Sequence, residues 1–278
     1  MRVAVVGHVE WAEFARVEHL PSPGDIVHAQ EWWEEAAGGG SDAAVQLAKL
    51  AHGATFFTAV GDDDTGHRAI DELEEKGLRV HAQFLPEPTR RALTHIDAAG
   101  ERTITIIGRR LAPRSTDPLP WHELDDTDAV YVTAGDIGAL RLARRARVVV
   151  ATARILPLLR RAQIELDAVV GSSMDPAESY RPGDLTPSPR LVVLTAGERG
   201  GTFFERDRSP VAYAGVTPAR PVVDRYGAGD SFAGGLTYGL GTGLGPAEAV
   251  ELAARCGAAV VTGRGPFEAQ LRAEDLAS

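Results

Sequence analysis

An α/β fold built on one mostly parallel sheet is the class this sequence predicts, and three observations predict it. Short apolar runs recur along the chain at intervals that leave room for a helix between neighbours. The 278 residues, 44% hydrophobic and 24% charged, suit one large α/β domain over residues 1–278 with a sizeable core. No repeat, linker or low-complexity tract divides the chain.

The first strand is Val3–Val6, an apolar run ending at Gly7. Residues 42–51 read as a helix, because Ala44, Leu47, Ala48 and Ala51 share a face behind a glycine cluster. Residues 55–60 form a strand, and 66–76 form a helix that Gly77 stops. The pattern then changes. Segments 92–97 and 102–107 are β-rich about Ala98-Ala99-Gly100-Glu101 and read as a hairpin. Strands drawn from roughly 10–35 and 85–110 are expected to extend outside the main sheet. Beyond Gly108 the alternation resumes, with parallel strands at 130–133, 148–151, 168–170 and 191–195. Residues 218–223 lead into a turn, followed by helices at 231–240 and 246–262.

Composition narrows the function. The 29 basic against 39 acidic residues give a net charge of 29 − 39 = −10, which argues against nucleic acid as a partner. Cys256 stands alone, so neither an intrachain disulfide nor a cysteine zinc site forms, and a reducing cytoplasm is the natural location. The apolar stretch at the amino terminus is too short for a signal peptide, and no run of about 18 apolar residues would span a membrane. Lys49 and Lys76 are the only lysines, and neither lies in a P-loop or a protein-kinase V-A-I-K strand. If phosphates are handled, main-chain N–H groups and arginines must do it.

The sharpest segment is Asp224-Arg225-Tyr226-Gly227-Ala228-Gly229-Asp230, immediately before an apolar helix. Gly227, Ala228 and Gly229 leave their amides unobstructed at a helix N-terminus, where partial positive charge favours phosphate. Asp230 in the first turn can accept a proton from an attacking hydroxyl while those amides hold the migrating group. The plainer reading of Asp230 is a helix-capping acid.

This string resembles the carboxy-terminal D-T-x-G-A-G-D signature of the ribokinase-like (PfkB) carbohydrate kinases. Gly38-Gly39-Gly40-Ser41-Asp42 and Val60-Gly61-Asp62-Asp63-Asp64-Thr65-Gly66 are similar to the family's glycine-rich substrate segment and its V-G-x-D-x-x-G. Thr195-Ala196-Gly197-Glu198-Arg199-Gly200 is similar to its nucleotide loop, Gly100-Glu101-Arg102-Thr103 to its lid hairpin, and Pro21-Ser22-Pro23-Gly24 to its P-x-P-G. The matches come in family order. The resemblance implies a three-layer α/β/α sandwich with a small β lid, ATP as donor, Mg²⁺ as counter-ion and a small sugar, polyol or nucleoside as acceptor. It implies Asp230 as general base, Gly227, Ala228 and Gly229 as the anion hole, and Thr195, Gly197 and Gly200 at the nucleotide. Glu10, Gly38, Gly39, Gly40 and Asp42 fall at the substrate and Asp175 at the metal. Asp224 matches an acid that helps bind a monovalent cation such as K⁺, and reads equally as a turn-stabilising Asx. A homodimer through the lid is also implied.

Several positions depart from the family pattern. After the first strand, Glu10 stands for the usual Asn and Ala12 for the usual Asp, and Asp42 replaces the Asn of the glycine-rich segment. Ionised acids accept hydrogen bonds without donating them, so a polyol or a partly cationic acceptor fits. Glu10 as a solvated loop acid is the alternative, but the ends of strands in open α/β sheets are where ligands bind. The family's N-x-x-E is replaced by Ser172-Ser173-Met174-Asp175, leaving Asp175 to act through water on a hard cation. Arg225 either reaches a phosphate or points to solvent. Arg255, at the family's adenine-side Asn, either stacks on the base or faces water. Arg90, Arg91, Arg109 and Arg110 flank the lid strands, where an arginine pair could recognise a carboxylate or a phosphate on the acceptor; the plainer reading is decoration of an exposed hairpin. His8 reads as a packed residue, and Trp32 and Trp33 as cover for the lid interface. A ligand sensor on the same scaffold is the rival reading. A nicotinamide-dependent dehydrogenase is disfavoured, since no G-x-G-x-x-G follows the first strand.

Overall fold

Val3 and Val5 point to one side of the main sheet and Ala4 and Val6 to the other, and all four are buried. A strand apolar on both faces needs helices above and below it. The computed structural model describes residues 1–276 and supplies that cover. In chain order the elements are β1 (Val3–Val6), β2 (Glu10–Arg16), β3 (Glu31–Ala37), α1 (Gly39–Ala51), β4 (Ala54–Gly61), α2 (Asp64–Glu75) and β5 (Leu78–Leu85). They continue with β6 (Arg91–Ile96), β7 (Arg102–Ile107), β8 (Ala129–Val132), α3 (Ile137–Ala143), β9 (Val148–Thr152) and α4 (Leu156–Ala162). The rest are β10 (Ala168–Ser172), β11 (Leu191–Thr195), β12 (Gly201–Glu205), β13 (Val211–Tyr213), α5 (Ala228–Thr242) and α6 (Pro246–Val260).

Nine strands form the main sheet in the order β13-β12-β11-β10-β9-β8-β1-β4-β5. It is parallel from β11 to β5, and β12 and β13 close one edge antiparallel. Leu47 of α1, Leu73 of α2, Leu236 of α5 and Val250 of α6 pack with Val3, Val5 and Phe56 on one face. Leu140 of α3 and Leu159 of α4 pack with Ala4, Val6 and Phe57 on the other. This is the expected three-layer α/β/α arrangement. The neighbours Phe56 and Phe57 are fully buried in opposite layers. Each such side chain contributes about 1.5–3 kcal/mol by leaving water.

A second sheet, ordered β3-β2-β6-β7, forms the lid. β2 pairs parallel with β6, and the outer pairs are antiparallel. β3 runs to Ala37, past the expected limit of 35. Phe14 stacks on Trp33 at 4.8 Å and meets Tyr226 edge-on at 5.0 Å, fastening the lid to the loop before α5. Of the two tryptophans expected to cover the lid, only Trp33 does so, and Trp32 is exposed. At the hairpin tip Arg225 N–H donates to the Gly100 carbonyl (3.2 Å), and Arg102 Nη1 donates to the Arg225 carbonyl (2.9 Å). The chain crosses between lid and body four times, at residues 7–9, 38, 86–90 and 108–110.

Helix α1 begins three residues before the expected 42. Gly39 and Gly40 read as loop by propensity, but a Cβ on Gly40 would lie 2.4 Å from the His8 carbonyl oxygen, so this close helical contact needs glycine. β5, β12 and β13 have no counterpart among the expected strands. Strand β5 alternates Leu78-Arg79-Val80-His81-Ala82-Gln83, the pattern of a half-covered edge rather than a buried run.

Candidate active site

The loop 224–227 and helix α5 build one wall. Gly227 caps the helix at φ 72°, in the left-handed region open to glycine. The first i→i−4 bond runs from Ser231 N–H to the Gly227 carbonyl (2.8 Å), so the amides of Ala228, Gly229 and Asp230 precede the intrahelical ladder. A Cβ on Gly229 would meet nothing within 4 Å, so that end of the helix opens onto a cleft. Asp224 braces the loop: its two carboxyl oxygens accept from Tyr226 N–H and Gly265 N–H, each at 2.8 Å.

The N-terminus of α1 faces the same cleft. A Cβ on Gly39 would lie 2.7 Å from Asp230 Oδ1, which brings the glycine segment and the Asp230 carboxyl together. Partial removal from water raises the Asp230 pKa to about 7, with Glu178 and then Glu10 adding to the rise while Arg102 and Arg154 oppose it. A carboxyl poised there is a competent general base near neutral pH.

Glu10, the first residue of β2, is buried beside this wall. Its Oε2 lies 2.9 Å from Arg90 Nε, and its Oε1 is 3.4 Å from the Tyr226 hydroxyl, which donates to it. Burial still raises the Glu10 pKa against the pull of Arg90 and Arg110. Asp42 is fully buried in the first turn of α1, and the Ser41 hydroxyl beside it spends its proton on the Gly38 carbonyl (2.8 Å). Neither Asp42 carboxyl oxygen has a hydrogen-bond partner of good geometry. Burial first, then the nearby Asp230 and Glu10, raise its pKa well above the usual range. A protonated Asp42 donates as the family's amide would. His8 is buried, with Nδ1 3.4 Å from Thr133 Oγ1, and burial keeps it neutral.

These contacts revise two expectations. Two acids do not make a cation site here, because Arg90 neutralises Glu10 and burial favours the neutral form of Asp42. Nor are the four lid arginines alike. Arg91 pairs with Glu13, and exposed Arg109 lies 3.8 Å from Glu87, as decoration. Arg90 turns inward to Glu10, and Arg110 is half-buried with its Nε out of water.

At the other end of the cleft, the Thr195 carbonyl accepts from both the N–H and the hydroxyl of Ser173 at 2.9 Å, joining the loop of Gly197 and Gly200 to the end of β10. Asp175 Oδ2 lies 2.7 Å and Glu178 Oε1 2.6 Å from Arg154 Nη2. Glu178, which shares Arg154 with Asp175 and bears on Asp230, was not singled out by the motif reading. The spacing Asp175-Pro176-Ala177-Glu178, an acid and a Glu three apart, was the available signal. No cluster of three or more metal-ligating side chains occurs among the described residues. The Asp175–Glu178 pair nonetheless suits Mg²⁺, which takes one or two carboxylates and completes its shell with water and substrate phosphate. Arg225 pairs with Glu101 at 2.8 Å rather than reaching into the cleft, and Arg255 donates to the Asp275 carbonyl at 2.9 Å in the C-terminal turn.

Comparison with known proteins shows the family and the fold. The family model described as pfkB family carbohydrate kinase matches residues 1–160 and 164–271. A ribokinase of Arabidopsis thaliana is 22% identical over 299 residues, covering 95% of this chain and 76% of the relative. An ATP-dependent ribose-1-phosphate kinase of Halopiger xanaduensis is 24% identical over 274 residues, covering 93% of this chain and 91% of the relative. The crystal structure of a Thermotoga maritima ribokinase superposes with a TM-score of 0.78 at 20% identity, over 100% of this chain and 98% of that one.

Proposed function

The chain belongs to the pfkB family of carbohydrate kinases, phosphotransferases with an alcohol group as acceptor, and on that premise we propose how its residues divide the work. The acceptor is a small sugar, polyol or nucleoside-like molecule lying between Glu10 and Asp42 on one side and Asp230 on the other. Asp230 takes the proton of the attacking hydroxyl. The amides of Gly227, Ala228 and Gly229 receive the charge that develops on the transferred phosphoryl group, and the α5 N-terminus adds its partial positive charge. Gly38, Gly39 and Gly40 let the acceptor and the Asp230 carboxyl approach the α1 N-terminus. Thr195, Gly197 and Gly200 line the ATP end.

Asp175 and Glu178 would hold Mg²⁺, which when bound neutralises the donor phosphates. Arg154, shared by both acids, fixes their orientation. Asp224 keeps the anion loop in its turn, and any K⁺ dependence would act on that loop. Arg255 is assigned to anchoring the C-terminal turn rather than to adenine.

The observation that carries this reading is the Asp230 carboxyl beside Gly39, at the mouth of a helix whose first amides face an open cleft. Its test is Asp230→Asn. Turnover in an ATP-consumption assay should fall by about 10²–10⁴-fold, while ATP affinity, measured by calorimetry, stays near wild type. A variant that turns over normally would remove Asp230 from the base role.

A further inference from the structure

Arg110 is a half-buried cation that the protein itself does not neutralise. It follows Gly108, where the chain leaves β7, and a Cβ on Gly108 would lie 3.8 Å from the Arg90 Cα, so residues 108–110 pass beside the start of β6. The Nε of Arg110 is buried without a hydrogen-bond partner, and among the described residues its side chain makes neither an ion pair nor a hydrogen bond. Its surroundings are already accounted for. The carboxylate nearest in influence, Glu10, is taken by Arg90 at 2.9 Å, and Arg154 is taken by Asp175 and Glu178. Burial lowers the His8 pKa, and an imidazole offers no anion to balance Arg110. Burial first, then repulsion from Arg90 and Arg154, lowers the Arg110 pKa. A guanidinium in such a place is costly without an anion, and in a chain of net charge −10 its isolation is not for want of acids.

We propose that Arg110 receives an oxyanion carried by the acceptor, so that the substrate is a sugar or polyol already bearing a phosphate or a carboxylate. This deepens the kinase reading and rests on its placement of the acceptor beside Glu10. Arg102 and Arg154 are the cations that bear most strongly on Asp230, whereas Arg110 bears on Glu10 and His8. The planar fork of Arg110 suits two oxygens of a phosphate or carboxylate.

The test compares ribose with ribose 5-phosphate, and glucose with gluconate, on wild type and Arg110→Gln, with product identification and thermal melts in the same solutions. The phosphorylated or carboxylated member of a pair should be preferred by wild type, and Arg110→Gln should lower its kcat/KM about 10- to 100-fold while leaving the neutral member unchanged. Which pair responds separates phosphate from carboxylate recognition. Without ligand, Arg110→Gln should melt no lower than wild type, since it removes an unpaired charge. Equal losses on neutral and anionic acceptors would overturn the inference and leave the kinase reading standing. No turnover of these four acceptors, with anion-dependent stabilisation lost in Arg110→Gln, would support the anion site and place the acceptor outside this panel. Neither turnover preference nor Arg110-dependent stabilisation would end the inference.

Discussion

The chemistry turns on carboxyl groups held partly out of water. Asp230, raised to about 7, gains its charge only as pH passes that value. As a base it works ionised, so kcat/KM should climb about tenfold per pH unit below 7 and level off above it. Among acidic groups, Glu178 contributes most to that rise. In Glu178→Gln the midpoint of the pH profile should therefore move to lower pH, and an unmoved midpoint would show that Glu178 does not face the base. Part of this was legible in the residues: Gly227 to Asp230 announced a glycine-capped helix start with an acid in its first turn. What single residues could not disclose were partners across space. Arg90 lies eighty positions from Glu10, and only the pairing of β2 with β6 makes them neighbours. Glu178 escaped because the expected motif, aligned on Asp175 as its last acid, stopped three residues short.

At the level of elements, the site is made where α1 and α5 point their N-termini into one cleft. Gly39 is the contact between them, and its missing side chain is what lets Asp230 lie there. Gly39→Ala should push the carboxyl aside and lower kcat by about 10- to 100-fold, since displacements of an ångström cost that much. The fold should survive, because the clash falls on the end of a side chain, and unchanged circular dichroism with lost activity is the expected pair of readings. Strands buried on both faces, β1, β8, β9, β10 and β11, announced themselves as apolar runs. β5 and β13 sit at the two edges of the sheet, where one-sided cover leaves a mixed pattern that resembles loop. The start of α1 was hidden for another reason: packing against His8 overrides the low helix propensity of glycine.

Across the whole molecule, the lid is the part with unfinished surface. Every residue of β7 is exposed, including Ile104, Ile106 and Ile107, and its outer edge pairs with no strand among those described. An apolar edge of this kind invites a partner strand or sheet, and we expect a homodimer through the lid. Sedimentation should show wild type as a dimer and Ile106→Lys as a monomer; a monomeric wild type would leave β7 without that role. The two-sheet plan was partly readable, since the hairpin about Gly100 interrupted the α/β rhythm, but the parallel pairing of β2 with β6 lies between distant segments and left no local mark.

The four crossings between lid and body carry His8, Gly38, Arg90 and Arg110, and Glu10 begins just past the first. On the proposed assignment, the connections between the two sheets and the contacts to the acceptor fall on the same handful of residues. A substitution that changes which acceptor is preferred then also changes how the small sheet is fastened to the large one, so the two properties share one set of side chains.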